Sequence, residues 1–222
     1  MQQLTLPSGT SAELTAPADG RAPTRGLVVI PDIGGLRPLY TDMAQRLADD
    51  QGWAVCAFEP WGSAEPADNV PERLGQVGSL ITDQQLLGDA VAAAEACAVE
   101  PVGIIGFCMG GMFTLKAAGI GRFDRAVAFY GMIRVPEQWR GEGHGEPLEA
   151  LGTPGAAPTL AIIGTADQWT PPDDVAALEA AGVSVARYEG AEHGFVHDPS
   201  RPTHRADDAV DAWSRAIAFL SQ

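Results

Sequence analysis

Short apolar runs alternate with longer amphipathic segments along the chain. The apolar runs are five or six residues long, as is typical of strands that are covered on both faces. They lie at 26–30, 53–58, 102–107, 126–130 and 159–164. Between them, apolar residues recur every three or four positions, which predicts helices. This alternation predicts an α/β fold with one mostly parallel sheet and helices on both faces.

Further elements complete the predicted architecture. Residues 2–6 and 12–15 flank Pro7-Ser8-Gly9 and predict a short hairpin at an edge of the sheet, and 184–188 predicts the last strand. Helices are predicted over 41–51, 81–98 and 109–118, after Pro171-Pro172, and at the end of the chain. The closing helix carries the predicted apolar stripe Val210, Trp213, Ile217 and Leu220. We expect one domain over residues 1–222.

Two long segments rich in proline and glycine, 59–79 and 131–158, are predicted to be loops. Long loops in compact domains are usually functional or mobile. In parallel sheets, ligands bind beyond the carboxyl ends of the strands. We therefore expect these two segments to line the pocket.

Charge and hydropathy exclude several classes of partner. The chain has 14 Lys and Arg against 29 Asp and Glu, a formal charge of -15. Nucleic acid is an unfavourable partner because its recognition requires clustered cations. No apolar run approaches the length of a membrane span, and the N-terminus lacks the pattern of a secretory signal. We expect a cytoplasmic protein without a membrane partner, either a monomer or a homodimer.

The strongest chemical pattern is Gly106-Phe107-Cys108-Met109-Gly110-Gly111, which lies between a predicted strand and a predicted helix. This is the pattern of a nucleophile elbow with cysteine as the nucleophile. Gly106 and Gly110 stand two residues before and after Cys108, where side chains would collide. The backbone N–H of Met109 opens the helix and can stabilise an oxyanion.

The other two cysteines, Cys56 and Cys97, fall inside a predicted strand and a predicted helix. We interpret both as buried structural thiols. Three cysteines are too few, and odd in number, for a disulfide framework, so at least one thiol is free.

Candidate partners for Cys108 follow two later strands. Asp167 comes three residues after the run 159–164, and His193 comes five residues after the run 184–188. Because the carboxyl ends of parallel strands share one edge, all three side chains are expected there. Their chain order, nucleophile, acid, base, is the order of α/β-hydrolases. The sequence therefore predicts a catalytic triad of Cys108, Asp167 and His193.

Five motifs make the chain resemble the dienelactone hydrolases, a cysteine branch of the α/β-hydrolase superfamily. They are GFCMGG around Cys108, GTADQWTP around Asp167, AEHGF around His193, AVAFYG at 126–131 and PDIGGL at 31–36. The resemblance implies an α/β-hydrolase fold and hydrolysis of an activated small-molecule ester or enol lactone through a thioester, with no metal or other cofactor. It also implies that the backbone N–H of Ile33 is the second oxyanion donor, beside that of Met109.

The chain differs from the family pattern at residues that are expected to act on the nucleophile or contact substrate. Asp32 stands where the family prototype has a glutamate that contacts the resting nucleophile, and we expect an activating role for it. His197 stands where the prototype has a substrate-binding arginine, and Arg73 is a candidate for a second such arginine. Because histidine is mostly neutral at pH 7, we expect a weakened carboxylate site and good activity on neutral lactones and aryl esters.

Two alternatives stay open from the sequence. The first is an acyltransferase or thioesterase that uses the same thiol. The second is a non-catalytic protein that senses redox state or binds a ligand, with Cys108 oxidised rather than acylated. No resolving cysteine lies near Cys108 in the sequence, which disfavours the redox version.

Overall fold

A single eight-stranded sheet organises the chain in the computed structural model, which describes residues 1–222. The strands are β1 Gln2–Thr5, β2 Ser11–Thr15, β3 Gly26–Ile30, β4 Ala54–Phe58, β5 Val102–Phe107, β6 Ala126–Phe129, β7 Thr159–Gly164 and β8 Ser184–Tyr188. Their spatial order is β1-β2-β4-β3-β5-β6-β7-β8. The first two strands form an antiparallel hairpin at one edge, β2 pairs antiparallel with β4, and all other pairs are parallel. The predicted sheet and edge hairpin are confirmed.

Seven helices connect and cover the strands. They are α1 Pro38–Gln51, α2 Val70–Leu80, α3 Asp83–Ala96, α4 Met109–Ala117, α5 Pro147–Leu151, α6 Pro172–Ala180 and α7 Ala206–Leu220. Proline stands in the first turn of α1, α2, α5 and α6, where the backbone N–H that it lacks would have no helical partner. The longest helix, α7, has 15 residues, and none of the seven is long and apolar enough to cross a bilayer.

The central strands are buried on both faces, as their continuous apolar runs predict. Alternate residues of a strand point to opposite faces. In β3, Val28 and Ile30 join the core beneath α3 and α4, whereas Leu27 and Val29 join the core beneath α1 and α7. Helices therefore cover both faces of the sheet.

The segment 59–79 is not the loop that the sequence predicted, because α2 occupies its second half. Asn69 caps this helix by accepting a hydrogen bond from the N–H of Glu72, and Pro71 stands in the first turn. Gly78 lies in close contact with the next segment, since a Cβ there would be 3.1 Å from the Cα of Trp139. Proline and glycine therefore mark a capped, closely packed helix here.

The segment 131–158 was also predicted to be a loop, and it contains a 3-10 turn at Glu137–Trp139 together with α5. Trp139 is fully buried and donates its indole N–H to the carbonyl of Leu74 on α2, at 2.7 Å. Lys116, the only lysine, pairs with Asp83 at 2.6 Å. The same carboxylate accepts the N–H of Gly145, which ties the segment to α3 and α4.

Helix boundaries differ from the predictions by a few residues. Helix α1 begins at Pro38 rather than at position 41, and α3 covers 83–96 rather than 81–98. The predicted stripe on α7 is wrong at Val210, which is 72% exposed. Alanines, including Ala212 and Ala216, face the sheet instead, because small side chains let α7 approach it closely.

The end of β7 packs closely against the backbone of the loop that follows β8, and substitution can test this contact. A Cβ on Gly164 would lie 2.2 Å from the carbonyl oxygen of Ala191. We expect Gly164→Ala to lower the free energy of unfolding by ~1–3 kcal/mol, as overpacking does. Gly88→Ala is the control on α3, where a Cβ would meet open space. It should stabilise by ~0.5–1 kcal/mol through the unfolded state and helix propensity.

Thermal unfolding of the two variants measures this difference. For a chain of this size, 1 kcal/mol corresponds to a shift in Tm of roughly 2–4 °C. Equal Tm values for Gly164→Ala and Gly88→Ala would show that the two loop ends can separate without cost.

Candidate active site

Cys108 lies between β5 and α4 in a strained backbone conformation. Its φ is 56° and its ψ is −118°, a region that residues with side chains seldom adopt. Such strain costs ~1–3 kcal/mol and persists only where the surroundings enforce it. Here the N–H of Cys108 donates to the carbonyl of Phe129 at 3.0 Å, and its own carbonyl accepts the N–H of Met112 at 3.1 Å. The turn presents the Cys108 side chain to a cavity.

Glycine is required on both sides of the elbow. A Cβ on Gly106 would lie 2.2 Å from the carbonyl oxygen of Gly110. A Cβ on Gly110 would lie 2.3 Å from the carbonyl oxygen of Ile30 and 2.4 Å from that of Pro31. Helix α4 thus begins in direct backbone contact with the end of β3, which places Cys108 beside the residues that follow that strand.

Asp167 and His193 meet at the same edge, as the sequence predicts. One carboxylate oxygen of Asp167 lies 2.8 Å from Nδ1 of His193, and the other accepts the N–H of Trp169 at 2.9 Å. The loops that carry them are joined by a hydrogen bond from the N–H of Ala166 to the carbonyl of Ala191. The Asp167 side chain has no exposed surface. An ionised carboxylate only accepts, so Nδ1 of His193 carries a proton.

The second nitrogen of His193, Nε2, is buried and has no hydrogen-bond partner among the oxygen and nitrogen atoms of the chain. Burial opposes protonation of His193, but the neighbouring Cys108 and Asp167 outweigh it and raise the pKa of His193 above its ordinary value. The protonated imidazole therefore faces the sulfur atom of Cys108. The geometry therefore brings the three residues of the predicted triad together.

Residues 31–36 follow β3 and are named the oxyanion loop after the predicted donor, the N–H of Ile33. Ile33 and Cys108 line the same cavity. Neither this N–H nor that of Met109 takes part in a backbone hydrogen bond. The carbonyl of Ile33 is fixed by two donors, the indole N–H of Trp61 and the guanidinium of Arg73, each at 3.1 Å. Both predicted oxyanion donors are free to bind a developing negative charge.

Arg73 does not line the cavity and is therefore not placed as a substrate contact. Its guanidinium donates to the carbonyls of Ala67 and Ile33, which fixes the oxyanion loop against the start of α2. The sequence identified the residue, and the structure places it behind the site.

Asp32 is buried in a cluster of donors and makes no hydrogen bond to Cys108. Its carboxylate accepts the N–H of Gly34 at 2.8 Å and both terminal nitrogens of Arg37, at 2.6 and 3.0 Å. Burial opposes ionisation, but the hydrogen bonds from His197 and Arg37 hold the pKa of Asp32 well below its usual range. The structure gives no contact through which Asp32 could activate the thiol, so the expected activating role is not supported.

His197 does not line the cavity over Cys108, so the structure gives no contact there for its expected role in binding substrate. Its side chain has no exposed surface, with Nε2 2.8 Å from Asp32 and Nδ1 hydrogen-bonded to the hydroxyl of Tyr130. Burial lowers the pKa of His197, and the charges of Arg201 and Arg37 act in the same direction, against the hydrogen bond to Asp32. The ring is a neutral structural bridge.

A cavity of about 350 Å³ opens over Cys108 and His193, within the size range of ligand pockets. One side is apolar and comes mainly from the two segments first predicted as loops. Its members are Val70, Leu74, Met132, Trp139 and Trp169. The lining also includes the charged residues Arg37, Asp198 and Arg201.

Sequence reasoning missed Arg201, the one cation of the cavity without a carboxylate partner. Arg37 is neutralised by Asp32, whereas Arg201 makes no ion pair. Arg201 lies eight residues after His193, and its guanidinium packs over Gly194, where a Cβ would lie 2.8 Å from Cζ. Its place between the last strand and the last helix, at the predicted binding edge, was the available signal.

The remaining thiols lie outside the site. Cys56 is in β4 and Cys97 directly follows α3, and both are buried. Burial raises the pKa of the Cys56 thiol far above its ordinary value and that of Cys97 to about 11. Neither is exposed at the cavity, so neither is placed to resolve an oxidised Cys108. No group of three or more potential metal ligands is present.

Comparison with known proteins connects this geometry to a family. The model of the dienelactone hydrolase family matches residues 11–222. The chain belongs to the dienelactone hydrolase family. It is therefore an enzyme of the class that hydrolyses esters and lactones, as the sequence predicted.

Individual relatives support this membership. The chain is 30% identical over 228 residues to a Methylorubrum extorquens protein named "putative carboxymethylenebutenolidase", covering 93% of this chain and 74% of the relative. It is 26% identical over 215 residues to a Bradyrhizobium protein named "probable 2-oxo-3-(5-oxofuran-2-ylidene)propanoate lactonase", covering 90% and 84%. A Klebsiella pneumoniae crystal structure described as a "putative dienelactone hydrolase" superposes with a TM-score of 0.88 at 26% identity, covering 100% and 98%. The predicted α/β-hydrolase fold is confirmed.

The different environments of the three thiols predict selective alkylation. We expect brief iodoacetamide treatment near pH 7 to label Cys108 and to leave Cys56 and Cys97 unmodified, because only Cys108 opens to the cavity and faces a protonated imidazole. Mass mapping of the modified peptides measures the selectivity. In a Cys108→Ala control the fast phase of labelling should disappear. Faster labelling of Cys56 or Cys97 than of Cys108 would contradict the assignment.

Proposed function

We propose that this enzyme hydrolyses activated carboxylic esters or lactones through a thioester on Cys108. The observation that supports the proposal most directly is the convergence of a strained elbow cysteine, the hydrogen-bonded pair of His193 and Asp167 at 2.8 Å, and two unpartnered N–H groups. This arrangement supplies a nucleophile, a base with its orienting acid, and an oxyanion hole.

In the first half of the proposed reaction, the Cys108 thiolate attacks the ester carbonyl and forms a C–S bond. The carbonyl oxygen becomes an oxyanion that accepts hydrogen bonds from the N–H groups of Ile33 and Met109. One such donor is typically worth ~3–4 kcal/mol of the barrier. Collapse of this intermediate breaks the C–O bond, and the departing oxygen takes the proton from Nε2 of His193. In a lactone the departing oxygen remains attached to the acyl chain.

In the second half, neutral His193 accepts a proton from water, and the hydroxide attacks the thioester. The C–S bond breaks and releases the carboxylic acid, the thiolate and a protonated His193, which restores the starting state. Asp167 keeps the imidazole in one orientation and stabilises its positive charge in both halves.

The leaving group restricts the substrate class. A thiolate leaves more easily than an amine, so a tetrahedral intermediate formed from an amide would revert to the starting amide. Esters of acidic alcohols, and enol lactones above all, expel their oxygen readily. We therefore propose activated esters and lactones as substrates rather than peptides.

Arg201 extends the proposal to the charge of the substrate. An unpaired guanidinium beside the reacting residues suits a carboxylate, which it can bind through two parallel hydrogen bonds. The substrate in the name of the Bradyrhizobium relative is itself a lactone that carries a carboxylate. The neutral His197 first suggested a preference for neutral substrates. We now propose acidic lactones instead, with Arg201 supplying the cation.

The triad predicts the order of losses on substitution. Cys108→Ala and His193→Ala should each lower kcat for an aryl ester by at least about 1,000-fold. Residues that act as one catalytic unit lose nearly all of their effect when any one is removed. Asp167→Asn should lower kcat by less, since the acid orients the base. Steady-state kinetics of aryl-ester hydrolysis measures these values. His204→Ala and the exposed Asp173→Asn are matched controls outside the site and should stay near wild type.

The thioester itself is tested by rapid mixing of substrate with His193→Ala and with wild type, followed by intact mass measurement. The acyl group should be found on Cys108. Full activity in Cys108→Ala, or an acyl group on another residue, would contradict the mechanism.

Arg201 predicts a loss that depends on substrate charge. Arg201→Met should lower kcat/KM for a carboxylate-bearing lactone by about 10- to 100-fold, which corresponds to the ~1.5–3 kcal/mol typical of a hydrogen bond to a charged group. The value for a neutral lactone of similar size should change little. Arg215→Met, on the exposed side of α7, is the control. Equal losses for both lactones would show that Arg201 does not recognise the carboxylate.

A further inference from the structure

The buried chain of hydrogen bonds through His197 joins three separate parts of the active-site edge. Tyr130 directly follows β6, His197 lies in the loop that carries His193, and Asp32 lies in the oxyanion loop. The contact between His197 and Asp32 spans 165 positions of sequence, and that between Tyr130 and His197 spans 67. The mechanism proposed above uses none of these three side chains, although all are buried beside it.

The direction of each hydrogen bond follows from its charged member. Asp32 is ionised because Arg37 binds both of its oxygens, and an ionised carboxylate only accepts. Nε2 of His197 must therefore donate. Burial lowers the pKa of His197 and keeps the ring neutral. Nδ1 therefore accepts a hydrogen bond from the Tyr130 hydroxyl. Tyr130 is itself held at a φ of 40°, a conformation that needs support from its surroundings.

Asp32 connects this chain of hydrogen bonds to the backbone of the oxyanion loop. Its carboxylate accepts the N–H of Gly34, and its own backbone N–H donates to the hydroxyl of Tyr40 at 2.8 Å. The Ile33 N–H, the predicted oxyanion donor, lies between these two fixed points. Of the partners of Asp32, only His197 comes from the loop that holds the catalytic base. The direction of the Ile33 N–H is therefore coupled to the position of His193.

Resting on the proposed function, we propose that His197 is a positioning residue: its neutral ring, hydrogen-bonded between Tyr130 and Asp32, aims the Ile33 N–H at the oxyanion. His197 contacts neither substrate nor Cys108 in this role. It acts only on the transition state, where the oxyanion forms, and should leave ground-state binding and thiol reactivity unchanged.

The test compares ester hydrolysis with alkylation of the same thiol. His197→Phe keeps a ring packed against Phe107 but removes both hydrogen bonds. We expect kcat for an activated ester to fall about 10- to 100-fold, part of the loss that follows complete removal of an oxyanion donor. KM should change less than about two-fold. Alkylation of Cys108 by iodoacetamide needs no oxyanion hole and should keep its wild-type rate.

Two further variants keep the test valid if His197→Phe folds poorly. The double variant that combines Tyr130→Phe with His197→Phe leaves no buried hydroxyl without a partner. Its kinetics should match those expected for His197→Phe alone. His197→Gln, whose amide N–H can donate to Asp32, should recover most of kcat. His204→Gln, on the same segment but outside the network, is the matched control and should match wild type. An unchanged kcat in His197→Phe, or a parallel fall in alkylation, would overturn the proposal.

Amide hydrogen exchange measured by NMR gives a result that does not depend on activity. In His197→Phe the Gly34 amide, bound to Asp32, should exchange faster, whereas the Leu36 amide, bound to Glu59, should keep its rate. Unchanged exchange at Gly34 would contradict the positioning role. If wild type hydrolysed no ester or lactone, the proposed function would fail, while faster exchange at Gly34 would still support the structural part of this inference.

Discussion

The close contact between the start of α4 and the end of β3 is the constraint on which the site depends. Gly110 allows it, because any side chain there would meet the carbonyl oxygens of Ile30 and Pro31. The contact fixes the distance between Cys108 and the oxyanion loop through backbone atoms alone. The N–H groups of Ile33 and Met109, which follow two neighbouring strands, are thereby held by backbone contacts, which fix positions more accurately than flexible side chains do.

Charge is distributed unevenly around this rigid frame. The chain as a whole is strongly acidic, yet the cations nearest the site, Arg37 and Arg201, have different uses. Arg37 is bound to buried Asp32 and keeps that carboxylate ionised. Arg201 has no carboxylate partner and is available to a ligand. The two cations thus differ in the structure, since one is paired with a buried carboxylate and the other has no ion-pair partner.

The two segments predicted as loops show where local composition misleads. Proline and glycine usually end regular structure, but Pro71 stands in the first turn of α2, where it is tolerated, and Gly78 gives space to Trp139. The buried indole of Trp139 then joins both segments into the apolar side of the cavity. The apolar pattern of α7 was misleading in the same way. Val210 is exposed, because the small alanines of the helix, rather than Val210, face the sheet.

The sequence by itself determined the fold class and located the elbow and the candidate triad, because those depend on local patterns: continuous apolar runs, glycines at fixed offsets, and polar residues directly after strands. Only the tertiary structure decided where the side chains of His197 and Arg201 lie. Each follows His193 by a few residues, and nothing in their local sequence distinguishes a buried ring from an open guanidinium. The burial of His197 depends on Asp32 and Tyr130, which lie far away along the chain and meet it only after the sheet has formed.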